Sequence, residues 1–370
     1  MEFFATAAKG TEGALRDELR ELGLHGVRAD RGGVFFSGTL GDGGYACLWT
    51  RIGVRILAKV AEFDAPDGNA LYEGVSSVDW TPYLSPKRTL AVRANCRSSA
   101  LTHSQYVAQR TKDAIVDRLR DHFGERPSVD RDDPDVLVAV HLARDRADVY
   151  VDLGGASLHR RGYRADGGIA PLKETLAAAV VRLSGWDRVS PFLDPMCGAG
   201  TLAIEAALWA RAIAPGLGRT MGFERWELFD DTMRRSWRAM LDEARAAAKG
   251  STVPVRASDV DRGLVERARA NARAAGVDLV LTVGDVRSAE SVHKGFVVTN
   301  PPYDERLPVH GSFYNELGAA LARMRGSTVA VLAGSSDLAR ALERATGHGP
   351  DRWLALYNGP LECRLLVYGL

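Results

Sequence analysis

The sequence predicts an α/β protein. Its C-terminal half is an open, Rossmann-like sheet, and its N-terminal half holds smaller mixed units. Three observations predict this. From Pro171 onward, short apolar strands alternate regularly with helices. Four of those strands end at Asp194, Asp259, Asp285 and Asn300, so polar groups are delivered in order along one edge. The first 63 residues read instead as β-α-β-β-α-β, the order of a ferredoxin-like layer. In open α/β sheets ligands bind outside the carboxyl ends of the strands, which makes that polar edge the candidate site.

Composition narrows the class. A chain of 370 residues should hold two or three domains. At 46% hydrophobic and 26% charged it is ordinary globular protein, and a net charge of +1 means that any basic surface must be local. The four cysteines Cys47, Cys96, Cys197 and Cys363 are far apart, form no CxxC pair and predict neither a metal site nor a disulfide framework. The amino terminus lacks a signal-peptide pattern, and no run of about 18 apolar residues is present, so a cytoplasmic protein without a membrane span is expected.

In the first unit, residues 3–7 read as a strand. Thr11 is a plausible cap for a helix carrying Ala14, Leu15, Leu19 and Leu22, and Gly23 stops it. Strands follow at 27–29 and 33–37, a helix at 43–50 and an apolar strand at 55–63. The stretch 64–74, rich in Pro, Gly and Asp, predicts a loop and a domain joint. Beyond it come a strand at 89–95, a helix at 103–123 with Val107, Ile115, Val116 and Leu119, an acidic loop, and an alternating hairpin at 136–142 and 147–153. The next residues, Leu158-His159-Arg160-Arg161-Gly162-Tyr163-Arg164, put three arginines and an aromatic together. That set suits phosphates and unstacked bases; the competing explanation is a solvated basic linker.

The C-terminal half opens with Pro171 in the first turn of a helix reaching Leu183, with Lys173 and Glu174 beside it. The strand Phe192-Leu193 leads into Asp194-Pro195-Met196-Cys197-Gly198-Ala199-Gly200-Thr201 and a helix over 202–212. A carboxylate, then glycines, then a helix describe a nucleotide-type loop, and this one lacks the length and the Lys-Ser/Thr ending of a Walker A loop. After the strand 253–257, Asp259 is placed to take ribose hydroxyls, whereas Asp261 suits the cap of a helix over 263–275. Asp285, after the strand 279–283, can accept from an adenine amino group or serve as an ordinary turn aspartate. The strand 296–299 ends in Asn300-Pro301-Pro302-Tyr303. Two prolines force the chain out of the sheet as a stiff turn. The turn offers an amide carbonyl, a proline carbonyl and a flat ring to one small volume, which suits an exocyclic amino group. None of the eight histidines falls in these motifs, so no triad and no metal is expected.

Asp-Pro-Met-Cys-Gly-Ala-Gly-Thr, Ser-Asp-Val-Asp, Gly-Asp-Val and Asn-Pro-Pro-Tyr resemble successive motifs of class I S-adenosyl-L-methionine-dependent amino-methyltransferases, in the γ arrangement. More narrowly, nearly the whole chain resembles the bacterial THUMP-containing RNA guanine-N2 methyltransferases that act on large-subunit ribosomal RNA. Phe4-Ala5-Thr6-Ala7, Thr102-His103-Ser104, the arginine stretch, Pro171-Leu172-Lys173-Glu174, Ala214-Pro215-Gly216-Leu217 and Asn358-Gly359-Pro360-Leu361 carry that likeness. The resemblance implies a ferredoxin-like domain over 1–63, a THUMP RNA-binding domain over 64–155, a basic linker over 156–170 and a seven-stranded methyltransferase domain over 171–370. The last strands would lie at 327–332, 352–357 and 362–368, the final pair joined as a hairpin at Asn358-Gly359.

The resemblance also implies S-adenosyl-L-methionine as cofactor, held by Asp194, Met196, Gly198, Gly200, Thr201, Asp259, Val260, Asp285, Val286 and Asn300. Asn300, Pro301, Pro302 and Tyr303 would present the target amine, and Arg160, Arg161, Tyr163 and Arg164 would meet RNA, 23S ribosomal RNA first and transfer RNA second. No obligate protein partner is evident. Two departures stand out. Asp304 takes a place where the family more often has Gly, and no second methyltransferase half follows Leu370, so a single-methyltransferase form is expected. An N6-adenine methyltransferase on DNA and a non-catalytic RNA-binding factor are the alternatives. The arginine-bearing auxiliary units speak against the first, and the intact acidic strand ends and Asn300 against the second.

Overall fold

A computed structural model describes residues 1–164, 172–250, 253–302 and 312–370. The N-terminal unit has the expected ferredoxin-like order: β1 (Glu2–Thr6), α1 (Glu12–Glu21), β2 (His25–Asp30), β3 (Gly33–Ser37), α2 (Leu40–Trp49) and β4 (Arg55–Asp64). Alternation decides the faces: Phe3, Ala5, Val34, Phe36, Ile56 and Ala58 pack with Leu15 and Leu19 of α1 and Ala46 and Leu48 of α2. Thr39 opens α2 with a reciprocal capping box, in which Asp42 accepts the Thr39 N–H at 2.7 Å.

The second unit holds α3 (Gly68–Ser76), β5 (Thr89–Arg97), α4 (Ser104–Phe123), β6 (Ser128–Val129), β7 (Val136–Ala143) and β8 (Arg146–Asp152). The stretch 64–74, whose composition predicts a loop, instead runs into α3. Asp67 caps it by accepting from the Asn69 and Ala70 N–H groups at 2.8 and 2.9 Å, and Leu71 and Val75, one turn apart, are buried. The joint expected there does not interrupt the sheet. The two units share one eight-stranded sheet in the order β2-β3-β1-β4-β8-β7-β5-β6. Its seam is the antiparallel β4–β8 pairing, from Leu57 opposite Asp152 to Asp64 opposite Arg146.

The C-terminal unit comprises α5 (Glu174–Leu183), β9 (Phe192–Asp194), α6 (Thr201–Ala210), α7 (Asp231–Ala246), β10 (Val255–Asp259), α8 (Arg262–Ala274), β11 (Val280–Val283) and β12 (Phe296–Thr299). It continues with α9 (Phe313–Ala322), β13 (Thr328–Ala333), α10 (Ser336–Thr346), β14 (Arg352–Asn358) and β15 (Leu361–Gly369). The seven-stranded sheet runs β11-β10-β9-β12-β13-β15-β14, parallel from β11 to β13, with β15 antiparallel to both of its neighbours. β10 and β11 build outward on one side of β9, and β12 and β13 on the other. The order therefore reverses at β9, and the carboxyl ends of β9, β10 and β12 meet at that crevice.

Most of the segment between α6 and β10 packs away from its own sheet. Met221, Phe223, Trp226, Phe229 and Trp237 bury themselves in the N-terminal core. Backbone bonds lock them there: Gly216 N–H to the Leu48 carbonyl at 3.0 Å, Phe223 N–H to the Leu153 carbonyl at 3.1 Å and Leu228 N–H to the Pro82 carbonyl at 2.8 Å. No helix among the described residues is long and apolar enough to cross a membrane.

Candidate active site

At the crevice, β9 delivers Asp194, only 1% exposed, whose Oδ1 accepts weakly from the Met196 N–H at 3.4 Å. Burial pushes its carboxyl up to about 7, and the nearby Asp259 carboxylate adds to the rise. The loop then folds back on itself. Gly200 N–H donates to the Cys197 carbonyl at 2.8 Å, and Cys197 N–H to the Ser258 carbonyl at 2.9 Å. Two glycines with positive φ make the turn possible, for different reasons. A Cβ on Gly200 would lie 2.9 Å from the Ala268 Cβ, so that glycine lets the loop pack on α8. A Cβ on Gly198 would meet nothing within 4 Å, so its open side faces free space in which a ligand can approach the backbone. Asn271 of α8 pins the loop from behind, donating to the Ala199 carbonyl at 3.0 Å.

β10 delivers Asp259, half-buried. Gly198 N–H donates to its Oδ2 at 2.8 Å and Asp261 N–H to its Oδ1 at 3.0 Å, which fixes the carboxylate beside the glycine loop. Asp261 caps α8, accepting from the Gly263 and Leu264 N–H groups at 2.7 and 3.2 Å. Between them Val260 is 70% exposed, an apolar side chain left open at the crevice. Val286 is buried. Asp285, expected as an acceptor for an adenine amino group, is held in place by Arg287. It accepts from the Arg287 N–H at 2.8 Å and from the Arg287 guanidinium, which holds its carboxyl below the usual range. Arg287 also reaches Glu316 of α9 at 2.8 Å.

β12 delivers Asn300. Its Oδ1 is buried and has no hydrogen-bond partner among the described residues. A buried acceptor left unmade costs about 1–3 kcal/mol, and this one differs from the unpaired polar atoms of the core in standing at the end of β12, on the crevice side. Pro301 is buried, and the Pro302 carbonyl accepts from the Tyr314 hydroxyl at 3.2 Å, which ties the turn to α9. Tyr303 and Asp304 lie outside the described residues.

The arginine stretch corrects its expected role. Arg160 is exposed, but Arg161 is 7% and Tyr163 5% exposed. Arg161 donates to the carbonyls of Leu158, at 2.8 Å, and Arg51, and its Nε sits 3.5 Å from Glu205 Oε1. The Tyr163 hydroxyl donates to the same Glu205 oxygen at 3.1 Å. Arg164, largely buried, donates to Thr201 Oγ1 at 2.7 Å and the Leu172 carbonyl at 3.1 Å, with Glu174 Oε1 3.6 Å away. Buried carboxylates on α6 and α5 have drawn these side chains inward, and neither Arg161 nor Tyr163 is free to meet phosphate or base. Asn271, Arg287 and Tyr314 are the site's unforeseen members. Each acts through a tertiary contact that leaves no mark in local spacing.

A doubly wound sheet that gathers a glycine loop, acidic strand ends and an Asn-Pro-Pro turn at its reversal point defines a class I methyltransferase domain, here behind a ferredoxin-like and a THUMP domain. The chain belongs to the RMKL-like methyltransferase domain family: that family's model matches residues 161–366, the THUMP domain matches 66–152 and the RlmL ferredoxin-like domain matches 2–57. A curated relative from Syntrophotalea carbinolica, named ribosomal RNA large subunit methyltransferase K/L, is 42% identical over all of this chain and 54% of its own. The crystal structure of SMU.472 complexed with SAH superposes with a TM-score of 0.87 at 33% identity, covering 100% of this chain and 98% of that one. That of a predicted N6-adenine-specific DNA methylase from Listeria monocytogenes superposes at 0.88 with 31% identity, over 100% and 96%. The chain spans about half the length of the curated relatives it matches.

Proposed function

We propose that this chain transfers a methyl group from S-adenosyl-L-methionine to the exocyclic N2 of a guanine in 23S ribosomal RNA, in the cytoplasm. The observation that carries the proposal is the buried Asn300 Oδ1, without a hydrogen-bond partner among the described residues, at the reversal point of the sheet and beside an open glycine loop. The donor set fits the cofactor. Gly198 leaves its backbone approachable, Asp194 and Thr201 flank the loop, Asp259 is held rigid for ribose hydroxyls, and the exposed Val260 offers an apolar face to adenine, with Val286 behind it. Met196 and Gly200 shape the loop. The Asp285 carboxylate, bound to Arg287, would meet the base together with that guanidinium.

When bound, the cofactor supplies an electrophilic methyl group on a sulfonium. The chain's own task is orientation. Asn300 Oδ1 and the Pro301 carbonyl accept the two amine hydrogens, so the nitrogen lone pair points at the methyl carbon, and Tyr303 stacks on the flipped base. Positioning of this kind contributes up to about 7–11 kcal/mol. No general base is needed, because the amine proton leaves to water after transfer. RNA is held through the THUMP domain, with Arg160 as the member of the arginine stretch that faces solvent.

Tritiated methyl transfer onto purified ribosomal RNA, transfer RNA and DNA, followed by nucleoside analysis, tests this. N2-methylguanosine in ribosomal RNA is expected. Label in transfer RNA would move the substrate but keep the chemistry, whereas N6-methyladenine in DNA alone would overturn both.

A further inference from the structure

We infer that Arg164 is a positioning residue for the cofactor loop. The inference rests on the proposal that Gly198 to Thr201 hold S-adenosyl-L-methionine. Thr201 is both the last residue of that loop and the first of α6. Its hydroxyl is bonded by a guanidinium that arrives from the segment ahead of the methyltransferase sheet, not from the sheet itself. One Arg164 nitrogen, Nη2, holds Thr201 Oγ1 at 2.7 Å and the Leu172 carbonyl at 3.1 Å, with Glu174 of α5 3.6 Å away. The side chains of Arg164 and Glu174 are 12% and 6% exposed. In so dry a setting a misplaced guanidinium or an unpaired carboxylate is costly, so the geometry is sharply defined.

The attachment continues inward. One turn along α6, Glu205 takes the Tyr163 hydroxyl at 3.1 Å and stands 3.5 Å from Arg161 Nε. Arg161 holds the Arg51 carbonyl. Arg51 in turn donates from Nη2 to the Ile213 carbonyl at 2.7 Å and from its N–H to Glu18 of α1 at 3.0 Å. The start of α6 is thereby held at two successive turns by the arginine stretch, and at the Glu205 turn that stretch is bonded in turn to Arg51 of the ferredoxin-like domain. The arginine stretch acts as a strut from that domain to the cofactor loop, and Arg164 is its loop end.

The test uses the full chain. Arg164→Ala should weaken S-adenosyl-L-methionine binding by calorimetry, and raise its KM, about tenfold, the range expected for a lost charged hydrogen bond. Turnover at saturating cofactor should fall less than cofactor affinity does, because the loop is displaced but the amine site is not. Arg164→Lys should recover part of the loss, since one ammonium can reach Thr201 or Glu174 but not the whole set. Adding Thr201→Val to Arg164→Ala should weaken binding little further, as expected when the two act as one unit. Should Arg164→Ala fail to fold, the same cycle run on Arg164→Lys and Thr201→Val decides the matter. Wild-type cofactor affinity in the folded Arg164 variants, or fully multiplicative losses in the cycle, would overturn the inference while leaving the proposed function standing. A wild-type chain that binds no S-adenosyl-L-methionine would overturn both.

Discussion

At the scale of single residues, Asp194 is the group whose environment does most to change its chemistry. Burial pushes its carboxyl up to about 7, so on the acid side the ligand-free crevice carries a proton there. The sign follows. Relative to an unfolded Asp, the folded state holds an extra proton between about pH 4 and 7, and the ligand-free protein loses that share of stability as pH rises through the window. A cationic methyl donor favours the ionised form. Its affinity should therefore climb by up to about tenfold per pH unit below 7 and level off above it. Calorimetric titrations between pH 5.5 and 8, as rough bounds around the ordinary operating range, check this. Asp194→Asn should flatten the rise, and an unchanged profile in that variant would remove Asp194 from the cofactor's neighbourhood. Asp194, Asp259 and Asn300 were legible because each follows a short apolar run and precedes a glycine, an Asx cap or a proline pair, all local signals. Arg161 and Tyr163 were not, because their partner Glu205 lies on another element, 42 residues from Tyr163. The Arg287 partner of Asp285 was not legible either, since that pairing shows only in the folded turn.

At the scale of elements, the glycine loop separates two demands that one motif hides. Gly198 and Gly200 both have positive φ, and an alanine at either pays about 1–2 kcal/mol for it. Gly200→Ala in addition drives a methyl into Ala268 of α8, whereas Gly198→Ala finds open space. Gly200→Ala should therefore lower the melting temperature clearly more than Gly198→Ala. Gly198→Ala should fold and yet lose cofactor affinity, because its new methyl occupies the ligand's approach. Equal melting temperatures, or a Gly198→Ala protein that binds normally, would contradict the roles assigned here. The strands of this half and the helices α5, α6 and α8 were legible to within a few residues, since buried parallel strands read as short apolar runs between helical patterns, whereas α7, α9 and α10 were not read from the sequence. α3 was not: Pro66, Asp67 and Gly68 have loop composition, yet Asp67 spends its carboxylate on capping, and Leu71 and Val75 supply a buried stripe.

At the scale of the whole molecule, what composition divides into successive units is mechanically joined. One sheet runs through both N-terminal units, and Met221 to Trp237 carry the methyltransferase half into their core. Phe223 sits at the centre of that junction, with ring centroids 6.5, 5.7 and 5.0 Å from Trp226, Phe229 and Trp237. Phe223→Ala should cost about 3–5 kcal/mol. Scanning calorimetry should show the wild type unfolding in one transition, and the variant splitting toward two as the halves uncouple. A wild type with two well-separated transitions would mean that the shared core does not bind the halves into one cooperative unit. The final hairpin was visible in sequence because its two strands are neighbours in the chain, and the ferredoxin-like order because each element carries its own local pattern, although β1 pairs with β4 from Phe3 to Ala58. The seam between β4 and β8 pairs residues about 90 apart and has no such signature.

The central claim is that Asn300 keeps a buried acceptor open for the target amine. It is tested most directly by single-turnover methyl transfer with Asn300→Ala, on an RNA that the wild type methylates at guanine N2, alongside calorimetric cofactor binding by the same protein. Transfer should slow by about 10²–10³, as for loss of one positioned polar group in a transition state, while cofactor affinity and fold stay close to wild type. Near-normal transfer by Asn300→Ala would contradict the account.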